Sequence, residues 1–276
     1  MAITASQVND LRQKTGAGMM DCKNALVEAN GDVEQAVDIL RKKGQKIAAK
    51  RGDNDAKEGL VIAKSNADGK SGVVLALNCE TDFVAKNDAF KSFVEKIVDI
   101  AANNLPSSVE ALVELKFDDK LSIKEKIVEQ VGVVGEKLDL SKYEVIKAEN
   151  VIAYNHPGNQ LATLVGLNKS GGELAETGRQ IAMQVAAMNP IALDSNGVDK
   201  ETIQKEIEIG KELAIQEGKP AEMAEKIAEG RLQKFFKENT LLSQPFVRDN
   251  KLTVQQFLTQ TEGGLAVTDF KRIALS

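Results

Sequence analysis

The 276-residue chain has no tryptophan, one histidine (His156), two cysteines (Cys22 and Cys79) and five prolines. Each shortage excludes something. Two cysteines make neither a disulfide framework nor a metal site, and they suit a reducing compartment. Aromatic content of 4% leaves little material on which nucleic-acid bases could stack. No apolar run approaches the roughly 18 residues of a membrane span. The start, Met1-Ala2-Ile3-Thr4, lacks a basic region followed by an apolar one and lacks an arginine-rich presequence, so a cytoplasmic location is expected.

Motifs that carry chemistry are missing too. There is no Gly-x-x-x-x-Gly-Lys-Ser/Thr loop, no His-Glu-x-x-His, no Cys-x-x-Cys and no Gly-x-Ser-x-Gly. Gly16-Ala17-Gly18-Met19-Met20-Asp21 imitates a dinucleotide fingerprint but lacks its last glycine and a preceding strand. A Cys–His nucleophile pair is open on counts alone, yet no enzyme motif surrounds either member. No carboxylate pair stands out as acid and base. The expectation is a protein without catalytic residues, metal ligands or cofactor.

What is present is charge and pattern. Lys and Arg number 36 against 41 Asp and Glu, a net charge of −5 that argues against nucleic acid as the main partner. Arg41, Lys42, Lys43, Lys46, Lys50 and Arg51 form a basic stretch with no acid between them, which reads as a solvated helix end and linker.

The first segment reads as three short helices. Ser6 is the expected N-cap of the first, with Val8 and Leu11 inward, and Gly16-Ala17-Gly18 breaks it. Asp21 to Ala29 forms the second. Asp32 caps a third that carries Val33, Ala36, Val37 and Leu40 on one face. From Gly59 the period changes to that of a hairpin, with Leu60 to Ala63 and Val73 to Cys79 around Asp68-Gly69. A helix with Phe90, Phe93, Val94, Ile97 and Ala101 in one stripe follows and ends before Leu105-Pro106. Helices near Val109 to Leu115 and Ser122 to Val131 and a strand at Tyr143 to Lys147 come next.

Strand, turn, strand, helix and proline stop then recur. Val151 to Tyr154 and Leu161 to Leu167 flank Pro157-Gly158-Asn159, and a helix with Ile181, Val185 and Met188 inward ends at Asn189-Pro190. Thr202 to Phe236 reads as an antiparallel helical hairpin with a seam of small residues at Gly210, Ala214, Ala224 and Ala228, its second helix starting at Pro220. The fold class expected is α+β, with residues 1–51 as the helical module and basic linker, 52–148 and 149–276 as two similar subdomains with small antiparallel sheets, and a projecting hairpin at about 199–238.

Four segments carry a resemblance. They are Leu11 to Leu26 (Leu-Arg-Gln-Lys-Thr-Gly-Ala-Gly-Met-Met-Asp-Cys-Lys-Asn-Ala-Leu), Asn78-Cys79-Glu80-Thr81-Asp82-Phe83-Val84-Ala85-Lys86, Tyr154-Asn155-His156-Pro157-Gly158, and Gly230-Arg231-Leu232 with Leu241-Leu242-Ser243-Gln244-Pro245-Phe246-Val247. In this order they resemble the elongation factor Ts family along nearly the whole chain. The resemblance implies a ubiquitin-associated-like first module and binding to elongation factor Tu, GDP-bound and nucleotide-free, with release of its GDP. It places Asp82 and Phe83, flanked by Thr81 and Val84, on a loop that intrudes near the Mg²⁺ side of the partner's nucleotide pocket.

Beside that stand the readings from the residues themselves. Phe83 reads as a helix-start core residue. Met19 and Met20 read as inter-helix packing or partner contact, and His156 as a turn residue or part of the partner surface. A homodimer or a two-to-two complex is left open. After Val267-Thr268-Asp269-Phe270-Lys271-Arg272 the chain departs from relatives that continue into a longer helical tail. The rival functions are a ubiquitin-like-fold binding adaptor, suggested by the first module, and an RNA binder using Arg41 to Arg51.

Overall fold

In the computed structural model, which describes residues 3–171 and 174–275, Thr4 rather than Ser6 starts the first helix. The Thr4 hydroxyl accepts the Gln7 amide at 3.3 Å, and the Gln7 side chain accepts the Thr4 amide at 2.9 Å. This reciprocal box outcompetes a lone serine two residues later. Helix α1 (Ala5–Thr15) ends at Gly16, which adopts φ +72°. Helix α2 (Met19–Glu28) begins two residues before the expected Asp21, because Gly18 supplies the extended cap. Asp32 caps α3 (Val33–Arg51) as expected, its carboxylate accepting the Gln35 amide at 3.0 Å. Val8, Leu11, Cys22, Ala25, Leu26 and Ala36 make the small core of these three helices.

The Arg41 to Arg51 stretch is a solvated helix end, as expected, but not a linker: all of it belongs to the last turns of α3.

Strands β1 (Glu58–Ser65) and β2 (Ser71–Cys79) form the expected hairpin. Helix α4 (Asp82–Ala85) is a single turn, and α5 (Asp88–Asn104) buries all five stripe residues before Leu105 ends it in a left-handed conformation. Helices α6 (Val109–Val113) and α7 (Ile123–Val134) lead to β3 (Asp139–Lys147), which pairs with β2. The second unit repeats the plan with β4 (Asn150–Asn155), β5 (Leu161–Leu167) and α8 (Leu174–Met188). Ile181 and Val185 are buried there, but Met188 is exposed, because it sits in the last turn of α8.

A 3-10 turn at Ser195–Gly197 precedes α9 (Lys200–Gln216) and α10 (Ala221–Asn239). The chain then forms β6 (Pro245–Phe246), β7 (Asp249–Thr253), α11 (Val254–Thr261) and β8 (Val267–Ala274). Strand β8 joins β5, so the two larger sheets run β1-β2-β3 and β4-β5-β8, all antiparallel.

The apolar runs now have their reason. In β2, Val73, Leu75, Leu77 and Cys79 face α5, while Val74 and Ala76 face the other sheet. In β5, Ala162 and Leu164 face the first sheet, while Val165 and Leu167 face the α8 side. Both central strands are covered on both faces, which a run without alternation requires. The layers are helix, sheet, sheet, helix.

Two further contacts fix what is attached to this sandwich. Helices α3 and α7 cross glycine against glycine: a Cβ on Gly132 would lie 2.8 Å from Gly44 Cα, and one on Gly44 2.8 Å from the Val128 carbonyl oxygen. The N-terminal helices are therefore packed on the core through backbone contact. At the other end, Gln184 and Gln244 are fully buried at the root of the helical pair. Gln244 donates to the carbonyls of Met188 and Glu238, 3.3 and 2.9 Å away, at the ends of α8 and α10. Gln184 donates to Gln244 and to the Pro245 carbonyl and accepts the Val247 amide at 2.8 Å. Gln244 thereby satisfies helix-end carbonyls that have no partner within their own helices, and Gln184 holds Gln244 in place. Helices α9 and α10 pack on each other along Gly210, Ala214, Ala224 and Ala228, where small side chains let the backbones approach.

Candidate functional site

Strand β2 leaves its sheet at Glu80, and the chain turns once through α4. One turn of helix has an inside and an outside. Val84 and Ala85 pack against the first core, so the residue before them faces away, and Phe83 stands 84% exposed at the tip. The reading of Phe83 as a core residue is thereby excluded. Among the large apolar side chains exposed to solvent, it is the most exposed. Beside it Asp82 pairs with Lys86 at 2.6 Å, on the surface. The Lys86 ammonium holds the Asp82 carboxyl below its ordinary value, so Asp82 is a carboxylate at neutral pH.

Thr81 occupies the N-cap position of α4 but does not cap it. Its hydroxyl donates instead to Glu136 Oε1 at 2.6 Å, and the amides of Glu80 and Thr81 donate to Glu136 Oε2 at 3.1 and 3.0 Å. Glu80 answers in kind. Its Oε1 accepts the Lys137 amide at 2.6 Å, and its Oε2 accepts from Arg51 Nη1 at 2.7 Å and Asn54 Nδ2 at 3.0 Å. Burial alone would raise the Glu80 carboxyl, but the Lys137 amide and the Arg51 and Asn54 side chains outweigh it and hold the group below its ordinary value. The Lys137 ammonium completes the arrangement by donating to the carbonyls of Gly52 and Asn54.

The base of the Phe83 turn is thus tied to the loop after α7 and to the end of α3. Cys79 lies behind it, buried, with its thiol pushed up to about 12 by burial and by the nearby Glu136 carboxylate. It stays a thiol and supplies no nucleophile.

The turn between β4 and β5 carries His156, exposed, with Nδ1 at 3.0 Å from the Tyr154 hydroxyl. Asn155 holds both backbone groups of Ala63, and the Val61 amide donates to the Asn159 carbonyl at 2.7 Å. This turn therefore lies along the edge of β1. Val61 is about 10 Å along the strand from Glu58, the partner of Cys79. Thr81, Asp82, Phe83 and Val84 thus follow the Glu58 end of β1, while the His156 turn lies along the middle of the same strand, at Val61 and Ala63.

Met19 and Met20 do not join them. They are 62% and 63% exposed, which rules out inter-helix packing. With Ile3, Val8, Arg12 and Lys23 they line a groove of about 400 Å³ on the N-terminal helices, to which no residue of the Phe83 turn contributes.

Glu136 and Lys137 carry no signal of a site in the sequence, and Arg51 is legible there only as the end of the basic stretch. Gly135-Glu136-Lys137 carries only a helix-stop signal, and Glu136 meets Glu80 across 56 residues of chain. Among the described residues no group of three acidic, histidine or cysteine side chains is placed to hold a metal ion, and no helix is long and apolar enough to cross a membrane. With an apolar tip, a carboxylate and a fixed base, the arrangement can press on a partner.

Comparison with known proteins bears on who that partner is. The family model described as elongation factor TS matches residues 80–276. The chain is 53% identical over 274 residues to elongation factor Ts of Amoebophilus asiaticus, covering 99% of both chains. It is 51% identical over 274 residues to elongation factor Ts of Christiangramia forsetii, covering 99% of this chain and 98% of the relative. The corresponding protein of Cytophaga hutchinsonii is 48% identical over 275 residues, with 99% of both chains covered.

Proposed function

The chain belongs to the elongation factor Ts family, and from that premise we propose how a nucleotide exchange factor for elongation factor Tu, itself no enzyme, opens its partner's site: the Phe83 turn intrudes beside the bound GDP and its Mg²⁺. The observation that carries the reading is an exposed phenylalanine on a turn anchored from behind and at its base. An apolar side chain on a mobile loop would fold back on contact. Phe83 is held from behind by Val84 and Ala85 in the core and by Glu136 at its base.

Magnitudes limit what one side chain does. Burying a phenylalanine contributes roughly 1.5–3 kcal/mol, about one to two decades in an equilibrium constant. Larger acceleration needs further terms. Asp82 brings a negative charge toward a site that holds Mg²⁺ and phosphates, and His156, exposed on the turn along β1, offers a further contact. The mechanism is therefore distributed: Phe83 wedges, Asp82 perturbs the charge balance, and the sandwich sets their geometry. Linkage adds a constraint, because if the factor weakens GDP binding, GDP weakens factor binding by the same ratio.

The remaining organisation follows from the same premise. Residues 1–51 form a ubiquitin-associated-like unit whose Met19 and Met20 offer a second contact. Residues 52–148 and 149–276 form the two related subdomains, with the α9–α10 pair projecting from the second. The factor acts in the cytoplasm on both the GDP-bound and the nucleotide-free partner, and a two-to-two complex is compatible with it.

Release of a fluorescent GDP from elongation factor Tu, followed by stopped flow, tests the function. Catalytic amounts of this chain should accelerate release in a way that saturates. A cognate, active elongation factor Tu that shows no acceleration would remove the reading and bring the ubiquitin-like adaptor forward.

A further inference from the structure

Two carboxylates occupy crossed positions at the base of the Phe83 turn. Glu80, on the strand side, accepts the amide of Lys137, and Glu136, next to Lys137, accepts the amides of Glu80 and Thr81. Each loop therefore supplies the acceptor for the other loop's backbone. A side chain at an N-cap ordinarily accepts amides of its own helix. Thr81 forgoes this and donates its hydroxyl to Glu136 at 2.6 Å.

One carboxylate thus takes three donors from two consecutive residues, which fixes position and orientation together, and charge-assisted bonds of this kind are the strong ones. Phe83 is two residues beyond Thr81, so the direction in which its ring projects is set here.

We propose that Glu136 is a positioning residue for nucleotide exchange, acting through Thr81 to hold the Phe83 turn in its projecting orientation. This rests on the reading of Phe83 as the wedge. Glu136 itself needs no contact with the partner. Its loss leaves three donors that water can reach, since Glu80 and Thr81 are only half-buried, so the fold survives while the turn gains freedom. A turn free to swing still binds, but it transmits less of the binding free energy to the partner's nucleotide site.

The test measures the maximal GDP-release rate and the factor concentration at half-maximum for full-length variants. Glu136→Ala should lower the maximal rate roughly tenfold or more, the rate equivalent of one hydrogen bond to a charged group. The half-maximal concentration should move far less. Glu136→Gln keeps an acceptor for both amides and an amide group for the Thr81 hydroxyl, so it should restore most of the rate. Glu136→Asp is a methylene too short to reach and should not.

A cycle with Phe83→Ala decides the route. Adding Glu136→Ala to Phe83→Ala should cost little more, whereas multiplicative losses would overturn action through Phe83. Equal losses of rate and apparent affinity in Glu136→Ala would also overturn the proposal, as would full activity. Should Glu136→Ala not fold, Thr81→Val, which removes one of the three donors, enters the same cycle with the same criteria. A wild-type chain that fails to accelerate release at all overturns the wedge reading itself. Wild-type activity with an indifferent Glu136→Ala overturns the positioning role alone.

Discussion

Gly132→Ala sets two known effects against each other. At an exposed position inside a helix the change gains about 1 kcal/mol, because alanine has the higher propensity. At Gly132 the new methyl would stand 2.8 Å from Gly44 Cα and 3.3 Å from Gly44 N. Both are backbone atoms, so no side chain can swing aside. Helices α3 and α7 must separate by roughly 0.6–0.8 Å, a gap that forfeits a quarter to a half of each dispersion contact along the crossing. Overpacking of this kind costs about 1–3 kcal/mol, and backbone against backbone belongs at the upper end.

The net expectation is a loss of about 1–2 kcal/mol, and at about 2–4 °C per kcal/mol the melting temperature falls by several degrees. Gly230→Ala in α10 is the control. A Cβ there meets nothing within 4 Å, so the propensity gain should appear undiminished as a rise in melting temperature. Thermal unfolding of both variants, with hydrogen exchange of the α3 amides, reads the result. If Gly132→Ala melts higher than wild type, as Gly230→Ala should, the glycine contact does not hold the N-terminal helices to the core.

Three further predictions concern other parts of the chain. Gln244→Leu leaves the Met188 and Glu238 carbonyls without their side-chain donor, at about 1–3 kcal/mol each, and takes from the Gln184 amide one of its two acceptors, so a lowered melting temperature is expected and an unchanged one would refute the buried network. The Glu80 carboxyl is held below its ordinary value of 4.5 in the folded chain, so its contribution is complete above that pH and is lost as the pH falls through the lower folded value. The melting-temperature gap between wild type and Glu80→Gln should therefore stay constant from neutrality down to about pH 5 and close below it, and a gap that widens in acid contradicts the sign. Cys79 is buried, with its thiol pushed up to about 12, so at pH 8 it should resist a thiol reagent until the chain is unfolded; rapid native labelling mapped to Cys79 would count against that environment.

What was legible in the sequence was local. The Asp32 cap, the apolar stripe from Phe90 to Ala101 and the hairpin around Asp68-Gly69 each signal within a few residues, and each formed as expected. The third strand of the first sheet was visible at Tyr143 to Lys147, but that of the second sheet was not. In β8, Thr268, Asp269, Phe270, Lys271 and Arg272 are all at least partly exposed, because the strand pairs with β5 on one side only, and no apolar alternation marks it. Ser6 fits a cap by residue type, but the start is decided by Gln7, which completes a box with Thr4. The run of cations marks the basic stretch as a helix end, but what α3 packs against there is not local: Gly44 meets Gly132, far along the chain. The site divided in the same way. Phe83 and Asp82 were visible through family resemblance, whereas Glu136 has no signal of its own until the fold brings it beneath Thr81.

The most direct measurement of the central claim uses Phe83→Ala and follows how far factor and GDP oppose each other's binding. Phe83 is 84% exposed in the free chain, so the variant should melt with the wild type. A wedge holds strain in its partner, and removing it returns that strain. Affinity for nucleotide-free elongation factor Tu should therefore change little, while affinity for the GDP-bound form rises. The ratio of the two should shrink by up to about 10- to 150-fold, the ceiling set by burying one phenylalanine. Release of GDP should slow in step. Equal loss of affinity for both forms, with the ratio and the maximal release rate unchanged, would show that Phe83 only binds and would contradict the account.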